Sequence, residues 1–243
     1  MLNKFGRYRD RGTQIDRPLH SKLNLMKMIF AGAVAGLVTL LSCAQKAPNA
    51  PDILIANNNM DRNIKTETAT FANGCFWCTE AIFEELNGVI SATSGYTGGN
   101  TENPTYKEVC GGETGHAECL QIEYDPAKIS FDELLAVFWE THDPTTLNRQ
   151  GADVGTQYRS AIFYHNDTQK QKAEHYKTEL QKSGAFPKPI VTEIAAAAKF
   201  YPAEDYHQEY YYNNKNTNPY CAVVIRPKLE KFQKVFASKL KTH

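Results

Sequence analysis

The chain has 243 residues, 42% of them hydrophobic and 22% charged, and its formal net charge is zero. That is the composition of an ordinary soluble globular protein with one well-filled core, or at most two small ones. It shows no basic stripe with interleaved aromatics, which argues against a nucleic acid as partner.

The neutrality hides an asymmetry. Lys4, Arg7, Arg9, Arg11, Arg17, Lys22 and Lys27 against Asp10 and Asp16 give +5 before Cys43, and leave the remainder at −5. The basic start runs into an uncharged apolar segment, Met28–Leu41, of signal-peptide length and too short for a spanning helix. Leu40-Leu41-Ser42-Cys43 then resembles the lipobox of bacterial lipoproteins, in which the cysteine is lipidated and becomes the mature N-terminus. Residues 1–42 are therefore expected to be a lipoprotein-type signal peptide, with Met26 and Met28 as alternative starts. A short signal anchor with an unmodified Cys43 is the competing reading. Ala44, rather than Asp, after the cysteine favours retention at the outer membrane, so the expected location is the cell envelope, facing the periplasm. Residues 43–65, rich in Pro and Asn and without periodicity, read as a tether, and residues 66–243 as one catalytic domain.

Within that domain Thr66–Ala72 is a strand candidate, broken by Asn73-Gly74. Cys75–Leu86 follows at near-helical spacing, which puts Cys75 at a helix N-terminus. Val89–Tyr96 reads as a strand, Thr97–Asn100 as a turn, and the Gly-, Thr- and Asn-rich Thr101–Gly115 as a long functional loop. Ala117–Asp125 alternates as a strand with Leu120, Ile122 and Tyr124 on one side. Ser130 and Glu133 form a capping box ahead of the stripe Leu134, Leu135, Val137, Phe138. Arg159–His165 and Ile190–Ala195 are further strands, and Thr168–Lys182, Glu204–Tyr212 and Lys228–Lys241 further helices. The pattern predicts an α/β or α+β fold, one domain with a mixed sheet, and leaves the topology open.

The chemistry concentrates at Asn73-Gly74-Cys75-Phe76-Trp77-Cys78. A zinc site would gather Cys75, Cys78, Cys110, His116 and Cys119, but two bulky aromatics between the first two ligands oppose it. A redox dithiol is served by the i, i+3 spacing and by the helix end, which lowers a thiol pKa. A single nucleophile, Cys75, with Phe76 and Trp77 as walls for a methyl or thioether group, is the third reading. Glu118 lies among Ala117, Cys119 and Leu120, so partial desolvation is expected to raise its pKa and keep a proton available. Tyr106 and Tyr158 add phenolic donors.

Gly74-Cys75-Phe76-Trp77, Gly95-Tyr96-Thr97-Gly98-Gly99, Tyr106 with Thr114-Gly115-His116-Ala117-Glu118, and His142-Asp143-Pro144-Thr145-Thr146 together resemble the peptide methionine sulfoxide reductases of type A. So do Gln150–Ser160 and Tyr206-His207-Gln208, in the same order, across roughly residues 68–236. The resemblance implies a ferredoxin-like sandwich and thiol-dependent reduction of methionine S-sulfoxide, free or in proteins. It makes Cys75 the nucleophile, Glu118 the acid on the sulfoxide oxygen, Tyr106 and Tyr158 its hydrogen-bond donors, Asp153 a polar support, and Phe76 and Trp77 the methyl pocket. Cys75 would be left as a sulfenic acid, the first rung of thiol oxidation. A second thiol must resolve it. Cys221, on a tail expected to swing in after the break at Pro219, is favoured over Cys78, whose helical neighbourhood can point it sideways. No resident cofactor or metal is implied. The expected partners are oxidised proteins or free methionine sulfoxide, a thioredoxin-like reductant, and the membrane through Cys43, with the chain a monomer. A redox-inert lipoprotein on the same scaffold is the rival reading.

Overall fold

The computed structural model describes residues 65–242, so the signal peptide, Cys43 and nearly all of the tether lie outside the described residues. Its centre is a six-stranded sheet of β1 (Glu67–Asn73), β2 (Val89–Thr97), β3 (Ala117–Tyr124), β6 (Ser160–Tyr164), β7 (Glu193–Ala196) and β8 (Tyr201–Pro202), in the order β7-β6-β1-β3-β2-β8. All neighbours are antiparallel except β6 and β7, which makes the sheet mixed, as expected. β4 (Arg149–Gln150) and β5 (Asp153–Val154) form a separate small hairpin.

The period of two along β3 sorts its side chains between the two faces. Leu120, Ile122 and Tyr124, all fully buried, join the principal core. Ala117 and Cys119 turn to the other face, into a small cluster with Ala72, Ala161 and Phe163. Helices α1 (Phe76–Phe83), α3 (Phe131–Glu140), α4 (Asp167–Lys182) and α6 (Arg226–Val235) contribute to the principal core. Phe71 of β1 is its centre, with ring centroids 5.6, 5.9 and 5.2 Å from Phe83, Phe131 and Phe138. Removing a ring at such a site costs about 3–5 kcal/mol.

Element ends follow local chemistry. The Ser130–Glu133 capping box is formed in both directions. A second box, Thr105 with Glu108, nucleates α2 (Tyr106–Cys110) inside the segment expected to be loop throughout. The helix expected over Glu204–Tyr212 is instead a 3-10 turn, Asp205–His207, and a short α5 (Tyr210–Asn214). Glu209 between them has φ +50, which no continuous right-handed helix accepts. Gln208 also clamps this break to β2, bonding Ser94 N and O at 3.0 Å each. The last helix begins earlier than expected, at Arg226, after a π-helical turn at Cys221–Ile225, and ends at Val235. Cys221 is fully buried in that turn, so the expected swinging tail is not what positions it.

Candidate active site

β1 delivers the chain to the site through Gly74, whose φ of +98 suits glycine. A Cβ there would also stand 2.6 Å from the Gln150 side chain of the β4–β5 hairpin. This turn sets Cys75 at the N-cap of α1, 8% exposed, its carbonyl accepting from Cys78 N at 3.1 Å.

Two periodicities bring Glu118 to it. Glu118 shares the face of Leu120 and Ile122, so it points beneath α1 rather than into solvent, and β3 is flanked by strands on both sides. At 1% exposure its Oε2 accepts the Phe76 N–H at 3.1 Å. Burial pushes its pKa up to about 8, helped by the negative charge of Asp153 and Cys78 and opposed by that N–H. The desolvated acid read from the sequence is what the fold builds.

The two thiols are unequal partners. Burial raises Cys75 well above its ordinary range, with its hydrogen bond to Cys78 and the charges of Cys78 and Glu118 adding to the effect. The hydrogen bond from Cys75 brings Cys78 down to about 7 against its own burial, and the Lys228 charge and Tyr220 hydroxyl assist. The two thiols are therefore shifted in opposite directions, Cys75 up and Cys78 down. Cys221 is raised by burial and then by the charge of Cys78, which puts it within electrostatic reach of that thiol.

Phe76 is enclosed at 1% exposure, its ring 6.4 Å from and nearly parallel to Tyr106, and 5.8 Å from Tyr96. Trp77 is half-buried. Its ring stacks on Tyr210 at 3.6 Å and its indole N–H donates to His207 Nδ1 at 3.1 Å. His207 is buried and lowered by desolvation, so it stays neutral, with its other nitrogen 4.0 Å from Glu204. Glu204 in turn accepts from Tyr106 N at 2.9 Å and Tyr96 OH at 3.0 Å. Burial first, then neighbouring negative groups including Glu118, raises both Tyr106 and Tyr158, which remain protonated donors. Asp153 accepts the Tyr220 hydroxyl at 2.9 Å, and that hydroxyl lies close enough to the Cys75 and Cys78 thiols to lower both.

The fold thus gathers Cys75, Cys78, Phe76, Trp77, Tyr106, Glu118, Asp153 and Tyr158, with Cys221 within electrostatic reach of Cys78. It also adds Tyr220, Tyr210 and His207, to which the sequence reading gave no role. His207 stood in a quoted motif, but its partners Trp77 and Glu204 come from other elements. Cys110, named above only as a zinc ligand, sits beside the Tyr106 hydroxyl. The other ligands of a zinc reading are otherwise engaged: His116 Nε2 meets Thr101 O at 2.7 Å and Cys119 donates to Gly95 O. Among the described residues no group of three or more His, Cys, Asp or Glu converges on a metal position.

Residues 67–240 match the family model described as peptide methionine sulfoxide reductase. A peptide methionine sulfoxide reductase MsrA 1 of Rhodopirellula baltica is 57% identical over 176 residues, 72% of this chain and 90% of that protein. One from Saccharolobus solfataricus is 53% identical over 177 residues, 73% of this chain and 98% of that protein. Among solved structures, Saccharomyces cerevisiae Mxr1 in reduced form superposes with a TM-score of 0.59 at 38% identity, covering 63% of this chain and 88% of that one. Methionine sulfoxide reductase A of Corynebacterium diphtheriae gives 0.57 at 41% identity, covering 63% and 78%. With its cysteine–glutamate centre and a family match over the folded domain, this chain belongs to the peptide methionine sulfoxide reductase family.

Proposed function

We propose that the protein reduces methionine S-sulfoxide, free or within polypeptides, to methionine, and so repairs oxidised proteins. The observation that supports this most is a buried carboxylic acid, Glu118, held protonated beside a thiol pair at a helix start. A sulfoxide S–O bond breaks only if its departing oxygen is neutralised, and a pKa of about 8 keeps that proton present at neutral pH.

As Cys75 attacks the sulfoxide sulfur, its proton passes along the existing hydrogen bond to the Cys78 thiolate. Glu118 delivers its own proton to the oxygen, with the Tyr106 and Tyr158 hydroxyls as further donors. The protonated oxygen then passes as hydroxyl from the methionine sulfur to the Cys75 sulfur while the transient sulfur–sulfur bond breaks. The sulfoxide sulfur so gains two electrons and leaves as methionine, and Cys75 loses two and becomes the sulfenic acid. Cys78 then attacks the Cys75 sulfur, and water leaves with the hydroxyl. Its proximity, hydrogen bond and pKa of about 7 favour Cys78 over Cys221 for this first closure. Cys221 follows by exchange at Cys78, and an external thioredoxin-like dithiol restores the thiols. Trp77, backed by Tyr210 and His207, faces the substrate methyl group, and the enclosed Phe76 forms the pocket floor.

The lipobox-like Leu40–Cys43 supports attachment to the cell envelope through Cys43, with the domain working as a monomer on a tether and drawing electrons from a periplasmic thioredoxin-like protein. Mass spectrometry of membrane-extracted protein tests the anchor: an unmodified Cys43 removes it. The activity is tested with both sulfoxide epimers and dithiothreitol. Turnover of the S epimer by the native chain and none by Cys75→Ser is expected, and full activity in the variant refutes the assignment.

A further inference from the structure

Glu204 reaches both ends of the substrate pocket, yet the chemistry above gives it no step. It stands between β8 and the 3-10 turn Asp205–His207. β8 pairs with β2 at Tyr96 and Tyr201, and Ala203 N extends the pairing to Ser94 O at 2.9 Å, so the sheet itself fixes the approach of Glu204. Its Oε1 accepts the Tyr106 N–H at 2.9 Å and its Oε2 the Tyr96 hydroxyl at 3.0 Å. Tyr106 opens α2, so its N–H is one of the donors that a helix start leaves without an intrahelical acceptor. Glu204 supplies that acceptor from 98 residues along the chain. Burial resists the charge on Glu204, but the Tyr106 N–H, its own N–H, the Tyr96 hydroxyl and His207 outweigh it and hold the carboxyl below its ordinary range. It is a carboxylate at neutral pH.

Its second reach runs through His207. Trp77 donates its indole N–H to His207 Nδ1 at 3.1 Å, so Nδ1 carries a lone pair, and in the neutral ring the proton sits on Nε2. Nε2 lies 4.0 Å from Glu204 Oε2, and His207 is 2% exposed. A carboxylate at that range favours the proton on the near nitrogen, which leaves Nδ1 free to accept. The other tautomer would set Nδ1–H against the indole N–H, donor against donor. Aromatic rings enclose the imidazole, with Tyr106 at 4.3 Å, Tyr206 at 4.2 Å, Phe76 at 5.2 Å and Tyr210 at 6.3 Å. Burial lowers His207, and the charge that opposes it is that of Glu204.

We infer that Glu204 is a positioning residue for the reaction. One carboxylate locks the Tyr106 end of the pocket, by holding the start of α2, and the Trp77 end, by holding His207 in the tautomer that accepts the indole N–H. The donor to sulfoxide oxygen and the wall for the methyl group are thereby kept at a fixed separation. The kinetic part of the inference rests on the reductase reading above, and the tautomer part does not.

The test uses the full chain. Nitrogen-15 NMR of the histidine rings, with His207 assigned by its disappearance in His207→Asn, should show Nε2–H in the native chain at neutral pH. Glu204→Gln, whose amide donates toward Nε2, should show Nδ1–H instead. In kinetics Glu204→Gln should raise KM for methionine S-sulfoxide by about fivefold, the scale of one lost hydrogen bond, with kcat within about twofold, since its amide oxygen still accepts from Tyr106 N. Glu204→Ala should also lower kcat, by about tenfold, because α2 and its Tyr106 hydroxyl are no longer held. In Trp77→Phe, which has no indole N–H to orient, Glu204→Gln should add nothing to KM. That last result separates positioning from a general loosening of the fold, which would raise KM in both backgrounds and would overturn the inference. Native kcat in Glu204→Ala overturns the Tyr106 half. An Nδ1–H tautomer in the native chain, or one unchanged in Glu204→Gln, overturns the Trp77 half whether or not the protein reduces sulfoxides.

Discussion

Glu118→Gln separates catalysis from stability at one atom. Gln keeps the size and an oxygen for the Phe76 N–H, seen at 3.1 Å, but has no proton to give to sulfoxide oxygen. General-acid loss predicts a fall in kcat of about 10²–10⁴. With the native pKa at about 8, roughly nine-tenths of Glu118 is protonated at pH 7 and one-tenth at pH 9, so native activity should fall about tenfold over that span from this group. The variant's residual rate should not show that limb. Stability moves the other way. A carboxyl raised in the folded state binds more protons folded than unfolded, so it destabilises the fold increasingly as pH rises from 4.5 through about 8. Between pH 5 and pH 9 this contributes a loss on the order of 4 kcal/mol at about 1.4 kcal/mol per pKa unit. Glu118→Gln should therefore be nearly inactive yet gain denaturation midpoint over the native chain at pH 9, with little gain at pH 5. Urea unfolding at both pH values, beside an S-sulfoxide assay, measures it. Near-native turnover, or parallel pH–stability curves for the two proteins, would refute the buried-acid account.

Cys78→Ser should still release one methionine per chain but accumulate Cys75 sulfenic acid, detectable by dimedone labelling, and lose more than about tenfold in thioredoxin-driven turnover, because water and distant thiols resolve slowly. Cys221→Ser, by contrast, should form the Cys75–Cys78 disulfide at the native rate, as seen by rapid quench and peptide mapping. Trp77→Ala removes the wall that Tyr210 and His207 brace and should raise KM for sulfoxide by about tenfold, the worth of a buried aromatic contact, with a smaller effect on kcat. Tyr220→Phe deletes the hydroxyl that donates to Asp153 and lowers the neighbouring thiols, and should raise the apparent pKa of Cys78 in an alkylation-rate profile.

What the sequence revealed and what it withheld divide along the range of the interactions. The face of Glu118 and the Ser130–Glu133 box were legible because period-two alternation and an i, i+3 cap are local. The Thr105–Glu108 box was equally local, yet α2 has only five residues and too little apolar periodicity to stand out from its glycine-rich surroundings. The Trp77–His207 contact joins residues 130 apart, and nothing near either one announces the other. Glu209 broke an apparent helix because its left-handed backbone is held by Gln208 reaching to β2, a tertiary cause. Cys221 looked like a tail residue beside a proline. Its full burial belongs to the π-helical turn that holds it within electrostatic reach of Cys78, a long-range arrangement that nothing beside it in the sequence announces.

The most direct measurement is a single turnover of fully reduced protein with one equivalent of methionine S-sulfoxide and no reductant, quenched by alkylation and mapped by mass spectrometry. One methionine should form, and Cys75 and Cys78 should be lost together to alkylation, in a mutual disulfide, before Cys221 is consumed. Methionine released while Cys75 remains fully alkylatable would contradict this.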